Sequence, residues 1–377
     1  MIICAVVILA LLAFTYVGYP ATIGALARLA PVKKAPAAAA AGDVTAAAPP
    51  LVSICLPVCD GASFLAAKID SLLAQDYPAD RIDILIYCDG CRDDSEAIAR
   101  ALAAEPRAGG RISVIAAQER LGKPTGINAL AAAARGELLL FNDVRQPLSP
   151  GATRALAAAL ADPAVGCATG ELVLAGGAGS GVYWKYERWI RGQESRFRGV
   201  VGMTGAIAMM RRAELAPLPD GTILDDVLMP MRLAMAGKRV ALIGDAQAFD
   251  AAFEDDREFR RKVRTLTGNY QLFAMMPALL LPWRNPIWFE TVSHKILRLA
   301  APWFMVVLFL VSLAATAAGR GGVWPLLFVA QVAFYVAAAV GRRAGPIGGL
   351  ARTFVVLNAA AVVGLWRFLR GQQRVTW

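Results

Sequence analysis

Leu51-Val52-Ser53-Ile54-Cys55-Leu56-Pro57-Val58-Cys59-Asp60 decides the fold. Its first six residues form a short apolar run of the kind that makes a buried strand. Phe64 to Leu73 then shows the apolar spacing of a helix. The alternation repeats downstream. Ile82 to Tyr87 reads as a second strand, with a helix over Asp94 to Leu102. Ile112 to Ala116 is a third, followed by a helix over Pro124 to Ala134, and Leu138-Leu139-Leu140-Phe141 is a fourth. Successive strand–helix units place the chain in the α/β class, with a mostly parallel sheet covered by helices. In such sheets ligands bind beyond the carboxyl ends of the strands. The stations to inspect are Pro57 to Asp60, Asp89-Gly90, Gly122-Lys123 and Asn142-Asp143. A carboxylate pair with a lysine suits a nucleotide, with one acid on base or ribose, one on a divalent metal and the lysine near phosphate. The glycine fingerprints of dinucleotide and P-loop sites are absent.

The 377 residues are 57% hydrophobic and only 18% charged, against about 25% charged in ordinary soluble domains. That composition excludes a disordered tail, a collagen and a small disulfide scaffold. The net charge of +10 invites a nucleic-acid reading, but its distribution argues against one. All 29 acids lie between Asp43 and Glu290, together with 27 Lys and Arg, so this span is net −2. The other 12 basic residues flank apolar segments at the two ends, beginning with Arg28, Lys33 and Lys34 and ending with Arg374. Positive charge in that position orients helices in a bilayer, whereas a nucleic-acid binder carries its basic face on the folded domain. No nucleic-acid partner is expected.

Residues 1–30 read as an uncleaved membrane anchor, because Met1 to Ala27 carries no charge and the basic residues follow it. A cleaved signal normally opens on a basic region, although Ala25-Leu26-Ala27 offers a cleavage-like sequence. Residues 31–50 are an Ala/Pro-rich linker, and 51–270 the α/β domain. Residues 271–297, with Pro277, Pro282, Pro286, Trp283 and Trp288, suit short interfacial helices. Residues 298–377 hold two or three membrane helices. Leu299 to Gly319 and Gly321 to Gly341 are long enough to span, while the run Thr353 to Trp366 is short unless Arg352 snorkels. A full third crossing would also set Arg367, Arg370 and Arg374 against the positive-inside trend. Membrane runs almost free of ionisable groups argue against a proton or ion pathway.

Six cysteines include the pair Cys88 and Cys91, but His294 is the sole histidine. A zinc site wants about four N or S ligands, so reduced apolar cysteines are expected. One histidine, beside a lysine at the membrane edge, also weighs against a Ser-His-Asp hydrolase.

The ordered motifs from Leu51 to Tyr270 resemble the family 2 glycosyltransferases of GT-A, Rossmann-like fold. Leu56-Pro57-Val58-Cys59-Asp60 looks like the family's first nucleotide-contact station. Asp89-Gly90-Cys91-Arg92-Asp93 is similar to its Asp-Gly-Ser-x-Asp segment, and Gly122 to Asn128 to its Gly-Lys-x-x-x-x-Asn element. Asp143-Val144-Arg145 lies where the family carries Asp-x-Asp. Gly202 to Ala206 resembles an acceptor-side loop, and Leu224-Asp225-Asp226 the acidic base motif. The resemblance implies a donor nucleotide held by Pro57, Asp60, Asp89, Lys123, Asn128, Asp143, Arg145 and Arg264. It implies an acceptor at Thr204 and Gly205, with Asp226 as general base beside Asp225, or the reverse. It implies a Mn or Mg ion at Asp143. Two departures matter. Arg145 replaces the second acid and cannot ligate a cation, which puts the metal in question. Arg261-Lys262-Val263-Arg264-Thr265 keeps only the Arg of the Gln-x-x-Arg-Trp found in processive synthases, which weakens a processive reading.

Each residue also has a plain structural role to weigh. Asp89 suits a turn, Asp60 a helix cap, and Asp225-Asp226 the positive end of a helix. Arg264 and its basic neighbours suit lipid headgroups. Tyr183 to Trp189 suits either sugar stacking or an amphipathic helix. The resemblance implies an inverting transferase moving a sugar from a nucleotide-sugar, by preference a UDP-sugar, to a lipid-linked or envelope glycan. Its setting would be the cytosolic face of a bacterial inner membrane, in contact with membrane lipid. The alternatives are a non-catalytic partner in polysaccharide export and a membrane nucleotidyltransferase.

Overall fold

The computed structural model describes residues 1–30, 48–175, 182–251 and 255–372. Most of the expected linker therefore lies outside the described residues. The chain forms two compact units. One combines Met1–Ala25, Phe253–Leu280 and Trp288–Gln373, and the other Leu26–Ala252 with Leu281–Ile287.

The second unit is built on a seven-stranded sheet. Its elements are β1 (Val52–Val58), α1 (Ala62–Leu73), β2 (Ile82–Asp89), α2 (Ser95–Ala104), β3 (Ile112–Ala117), α3 (Lys123–Ala133) and β4 (Leu138–Asn142). After these come α4 (Ala152–Ala159), β5 (Val165–Ala175), α5 (Val182–Phe197), β6 (Ile207–Arg211), α6 (Asp225–Met235) and β7 (Arg239–Ala251). The strand order is β3-β2-β1-β4-β6-β5-β7. The first four strands are mutually parallel, as is the β5–β7 pair, and β6 runs antiparallel to both its neighbours. This is the mostly parallel α/β sheet expected from the sequence.

β1, β2 and β4 are buried along their whole length. Strands covered on both faces need continuous apolar runs rather than alternation, which is how these three read. Helix α1 buries Leu65, Ile69 and Leu72 into the core that holds Ile54, Leu56 and Ile84. Pro57 pairs with Tyr87 and Val58 with Cys88, so β1 and β2 end side by side. Gly90, with φ +53°, turns the chain out of β2. A Cβ there would lie 2.5 Å from the Glu119 carbonyl carbon, so the loops after β2 and β3 touch through a glycine.

The other unit is helical. Among the described residues, four helices are long and apolar enough to cross a membrane: Ile2–Leu29, Trp288–Ala317, Val323–Val340 and Gly345–Leu369. Ala5 and Ile8 of the first pack with Leu308 and Ala315 of the second and Trp324 of the third. Gln331 donates to Ser312 Oγ at 2.9 Å, tying the third to the second. The last apolar run is longer than its uncharged stretch suggests, because its helix starts at Gly345 and carries Arg352 within it. Its 25 residues rise ~37 Å, more than the ~30 Å of a hydrocarbon core. The stretch before these helices is one 21-residue helix, Asp255–Met275, followed by a short turn of helix over Pro277–Leu280. His294 is buried, its ring 6.0 Å from that of Tyr19.

Candidate active site

The carboxyl ends of β1, β2 and β4 and the start of α6 converge on one group of charges. Asp89 closes β2 and is fully buried. Its carboxylate accepts the Leu121 and Gly122 backbone N–H groups at 2.8 and 2.9 Å. A buried carboxylate needs such donors, and here they shape the loop that starts α3. Lys123, the first residue of α3, extends from that loop. Its Nζ donates to Asp143 Oδ1 at 2.8 Å and lies 3.3 Å from Asp225 Oδ2. Burial disfavours the Lys123 ammonium. Asp143 and Asp225, with a further contribution from Asp226, outweigh burial and raise its proton affinity. The lysine is therefore a fixed positive charge among three acids.

Asp143 follows β4 directly, while Asp225 and Asp226 form the first turn of α6. Acids there satisfy the helix dipole, yet both serve more than the helix end. Asp225 faces Lys123. The Asp226 carbonyl accepts the Met203 N–H at 2.8 Å, fastening α6 to the 202–205 loop. A Cβ added to Gly205 would lie 3.4 Å from Asp226 Oδ2 and 3.8 Å from Asp143 Oδ2. Both carboxylates thus flank one small residue. Thr204 is held on three sides. Its Oγ1 donates to the Gly170 carbonyl at 2.7 Å, its N–H reaches Thr169 Oγ1 at 2.8 Å, and Arg191 donates to its hydroxyl at 3.2 Å.

The other expected residues occupy defined places. Pro57 is buried within β1. Asp60 has φ +50°, accepts the Arg92 N–H at 2.8 Å and pairs with Arg120. The Arg92 N–H foremost, with Arg120, holds its carboxyl below the ordinary carboxylate value. Asn128 braces a loop: its amide nitrogen donates to the Leu218 carbonyl and its oxygen accepts the Leu218 N–H, each at 2.9 Å. Arg264 sits on the Asp255–Met275 helix of the other unit.

Arg145 meets a residue the sequence did not flag. Its guanidinium donates to Asp250 Oδ1 on β7 at 2.9 Å. Gln146 donates to the other Asp250 oxygen at 2.6 Å. The fully buried Lys68 donates to the Gln146 carbonyl, also at 2.6 Å. Burial, partly opposed by Asp143, pushes the Lys68 ammonium down to about 7. These contacts clamp the segment after Asp143 to α1 and β7. Arg191, behind Thr204, is a second unflagged cation, and burial lowers its pKa against the pull of Glu194, Glu187 and Asp226.

Asp143 offers a hard carboxylate oxygen of the kind that Mg or Mn takes, while its Oδ1 and Asp225 Oδ2 already face the Lys123 ammonium. A separate trio, Asp60, Cys91 and Asp93, brings ligand atoms within 4.8 Å of one another near the surface. Its two acids already serve the backbone N–H groups of Arg92, Ala62 and Ser95.

Residues 53–216 match the model of glycosyl transferase family 2. An N-acetylglucosaminyltransferase of Rhizobium meliloti (strain 1021) is 32% identical over 166 residues, 41% of this chain and 38% of that protein. An N-acetylglucosaminyltransferase of Rhizobium sp. (strain N33) is 29% identical over 181 residues, 45% of this chain and 39% of that one. The chain thus spans under two-fifths of the length of these curated relatives. Among solved structures, the mannosyltransferase PcManGT from Pyrobaculum calidifontis, in complex with GDP-Man and Mn2+, superposes with a TM-score of 0.76. That match covers 98% of this chain and 100% of the other at 21% identity, a likeness of fold.

Proposed function

We propose, because residues 53–216 match the model of glycosyl transferase family 2, that this chain is an inverting glycosyltransferase with its active site at Gly205. The observation that carries the reading is the approach of both Asp143 and Asp226 to the Cβ position of Gly205, with Lys123 on Asp143. The donor is a nucleotide-sugar. The relatives' names favour an N-acetylhexosamine as the sugar; the resemblance of the motifs favours UDP as its carrier and a lipid-linked or envelope glycan as acceptor, at the cytosolic face of a bacterial inner membrane.

Asp226 takes the proton from the acceptor hydroxyl. The freed oxygen bonds to the anomeric carbon as the bond from that carbon to the diphosphate breaks on the opposite face. The nucleoside diphosphate leaves with the bonding pair, and Lys123 meets its charge. Asp225 holds Lys123 in place. Pro57, Asp60 and Asp89 border the nucleotide end, with Asp89 shaping the loop that presents the lysine. Asn128 acts by bracing α3 to the 218 loop. Thr204 and Gly205 border the acceptor. Arg145, paired to Asp250, orders the segment behind Asp143. A divalent cation held at Asp143 would add Lewis-acid stabilisation of the leaving group.

The test is calorimetric titration of the detergent-purified protein with UDP, GDP, CDP and dTDP, each with Mn2+ or EDTA. The expected result is saturable binding of one nucleotide, weakened at least tenfold in Asp143→Ala. Folded protein that binds none of the four contradicts the proposal.

A further inference from the structure

Helix α5 has two unlike faces. Ile190 and Glu194 are completely buried on one. The other carries Lys185, Arg188, Trp189, Gly192 and Arg196, at the spacings of three and four that align side chains in one stripe. Together with Glu171 of β5, this stripe lines a cavity of about 350 Å3. Pockets of about 300–1,000 Å3 hold small ligands, so the cavity suits a compact molecule.

Its lining is chemically mixed. Trp189 is 45% exposed, leaving indole surface within the concavity. Nothing lies within 4 Å of where a Cβ on Gly192 would stand, so the floor beside the indole is open. Arg188 pairs with Glu171. Lys185 and Arg196 are exposed and make no ion pair among the described residues. The cavity therefore offers a flat π surface between two positive charges.

The two elements that line the cavity also hold the 202–205 loop. Glu171 follows Gly170, whose carbonyl accepts the Thr204 hydroxyl. Arg191, on the same helix as the stripe, holds Thr204 from the other side. Thr204 adjoins Gly205, where Asp143 and Asp226 meet. A ligand seated along the stripe thus contacts β5 and α5, the elements whose Gly170 and Arg191 fix Thr204.

We propose that this groove is an acceptor subsite for a phosphorylated sugar. The ring lies on the Trp189 indole and Arg196 holds the phosphate, while Lys185 adds positive charge at the far end of the stripe. The proposal rests on the glycosyltransferase reading and names the acceptor class for it. A flat anionic membrane surface fits less well, because the groove is concave and contains Glu171.

The test uses the full-length protein in neutral detergent, saturated with the nucleotide identified by the donor titration, or without nucleotide if none binds. N-acetylglucosamine 1-phosphate, N-acetylglucosamine and inorganic phosphate are titrated in turn. Wild type should bind the sugar phosphate at least tenfold more tightly than either fragment. Trp189→Ala and Arg196→Gln should each weaken it about tenfold. Gly192→Phe, which fills the floor without removing a contact, should do the same. A geranyl ester of the same sugar phosphate separates two sources of the shared chemistry, since tighter binding assigns a lipid-borne acceptor and equal binding a soluble one. The proposal is overturned if wild type shows no preference for the sugar phosphate, or if all three variants bind it as wild type does. Binding only to phosphatidylglycerol vesicles overturns it in favour of a lipid surface. Nucleotide binding in the same samples separates the two claims: retained nucleotide binding with no sugar-phosphate binding sinks the subsite alone, while loss of both sinks the glycosyltransferase reading.

Discussion

Lys123 is the residue on which the site's electrostatics turn. Its ammonium sits between Asp143 and Asp225 with little solvent around it. Lys123→Met leaves those acids facing each other without a cation, and breaking a buried pair in this way costs about 3–5 kcal/mol. A lowered unfolding temperature is expected, recovered in part by millimolar Mn2+, which supplies the missing charge to the same oxygens. Unchanged stability, or no response to Mn2+, would count against the cluster. Lys68 gives a pH signature. Its folded value of about 7 lies below its ordinary 10.5, so between these limits the unfolded chain binds the extra proton. Stability should therefore rise as pH goes from 7 to 10, by at most about 1.4 kcal/mol per unit. The unfavourable charge is fully present below pH 7. Lys68→Met should flatten that slope, and melting curves across the range would check it. The place of Lys68 was partly legible, because it falls at helical spacing among Leu65, Ile69 and Leu72 on the apolar face of α1. Asp250 was not: its partner Arg145 is 105 positions away, and the unusual Arg145 was the only hint of a compensating acid.

At the scale of elements, α3 shows how tightly the helices must approach the sheet to aim their first residues. A Cβ on Gly126 would lie 2.7 Å from Tyr87 Cδ1 on β2. Gly126→Val should cost about 1–3 kcal/mol by overpacking and should also weaken nucleotide binding, because Lys123 leads the same helix. Equal loss of stability with unaltered nucleotide binding would show that α3 does not position the lysine. The first four strands were readable because each is a short, largely apolar run, buried along its length in β1, β2 and β4 and half-buried at the sheet edge in β3. The last three were not. β5 contains Gly166, Gly170 and Glu171 and pairs with β7 through two register shifts, and β7 is interrupted by Gly244 and Asp245. Their pairing depends on contacts distant in sequence, which local periodicity does not record. The long Asp255–Met275 helix was hidden in part by its charged N-terminal half, which lacks an apolar run.

For the whole molecule, the charge distribution and the four apolar helices carry the membrane reading. If all four span, the count is even, and residues 1 and 377 lie on the same side. Reporter tags joined at each position should then respond alike to an impermeant reagent in intact cells. A C-terminal tag that differs from the N-terminal one would mean that an odd number of the helices crosses, and a third tag in the loop between Val340 and Gly345 would tell whether Gly345–Leu369 is the one that does not. The strand-end places of Asp89 and Asp143 and the helix-start place of Asp225 and Asp226 were legible as an ordered set of motifs, although no single motif would have sufficed. The convergence of Asp143 and Asp226 on Gly205 was not, since it needs β4, the 202–205 loop and α6 in one place.

The central claim is that Asp226 is the base of a glycosyl transfer. The most direct measurement is turnover of the nucleotide-sugar by Asp226→Asn, alongside its nucleotide affinity. A positioned general base contributes about 100- to 10,000-fold. The account predicts at least a hundredfold loss of turnover with nucleotide affinity unchanged. Turnover close to wild type, in protein that still binds the nucleotide, would contradict it.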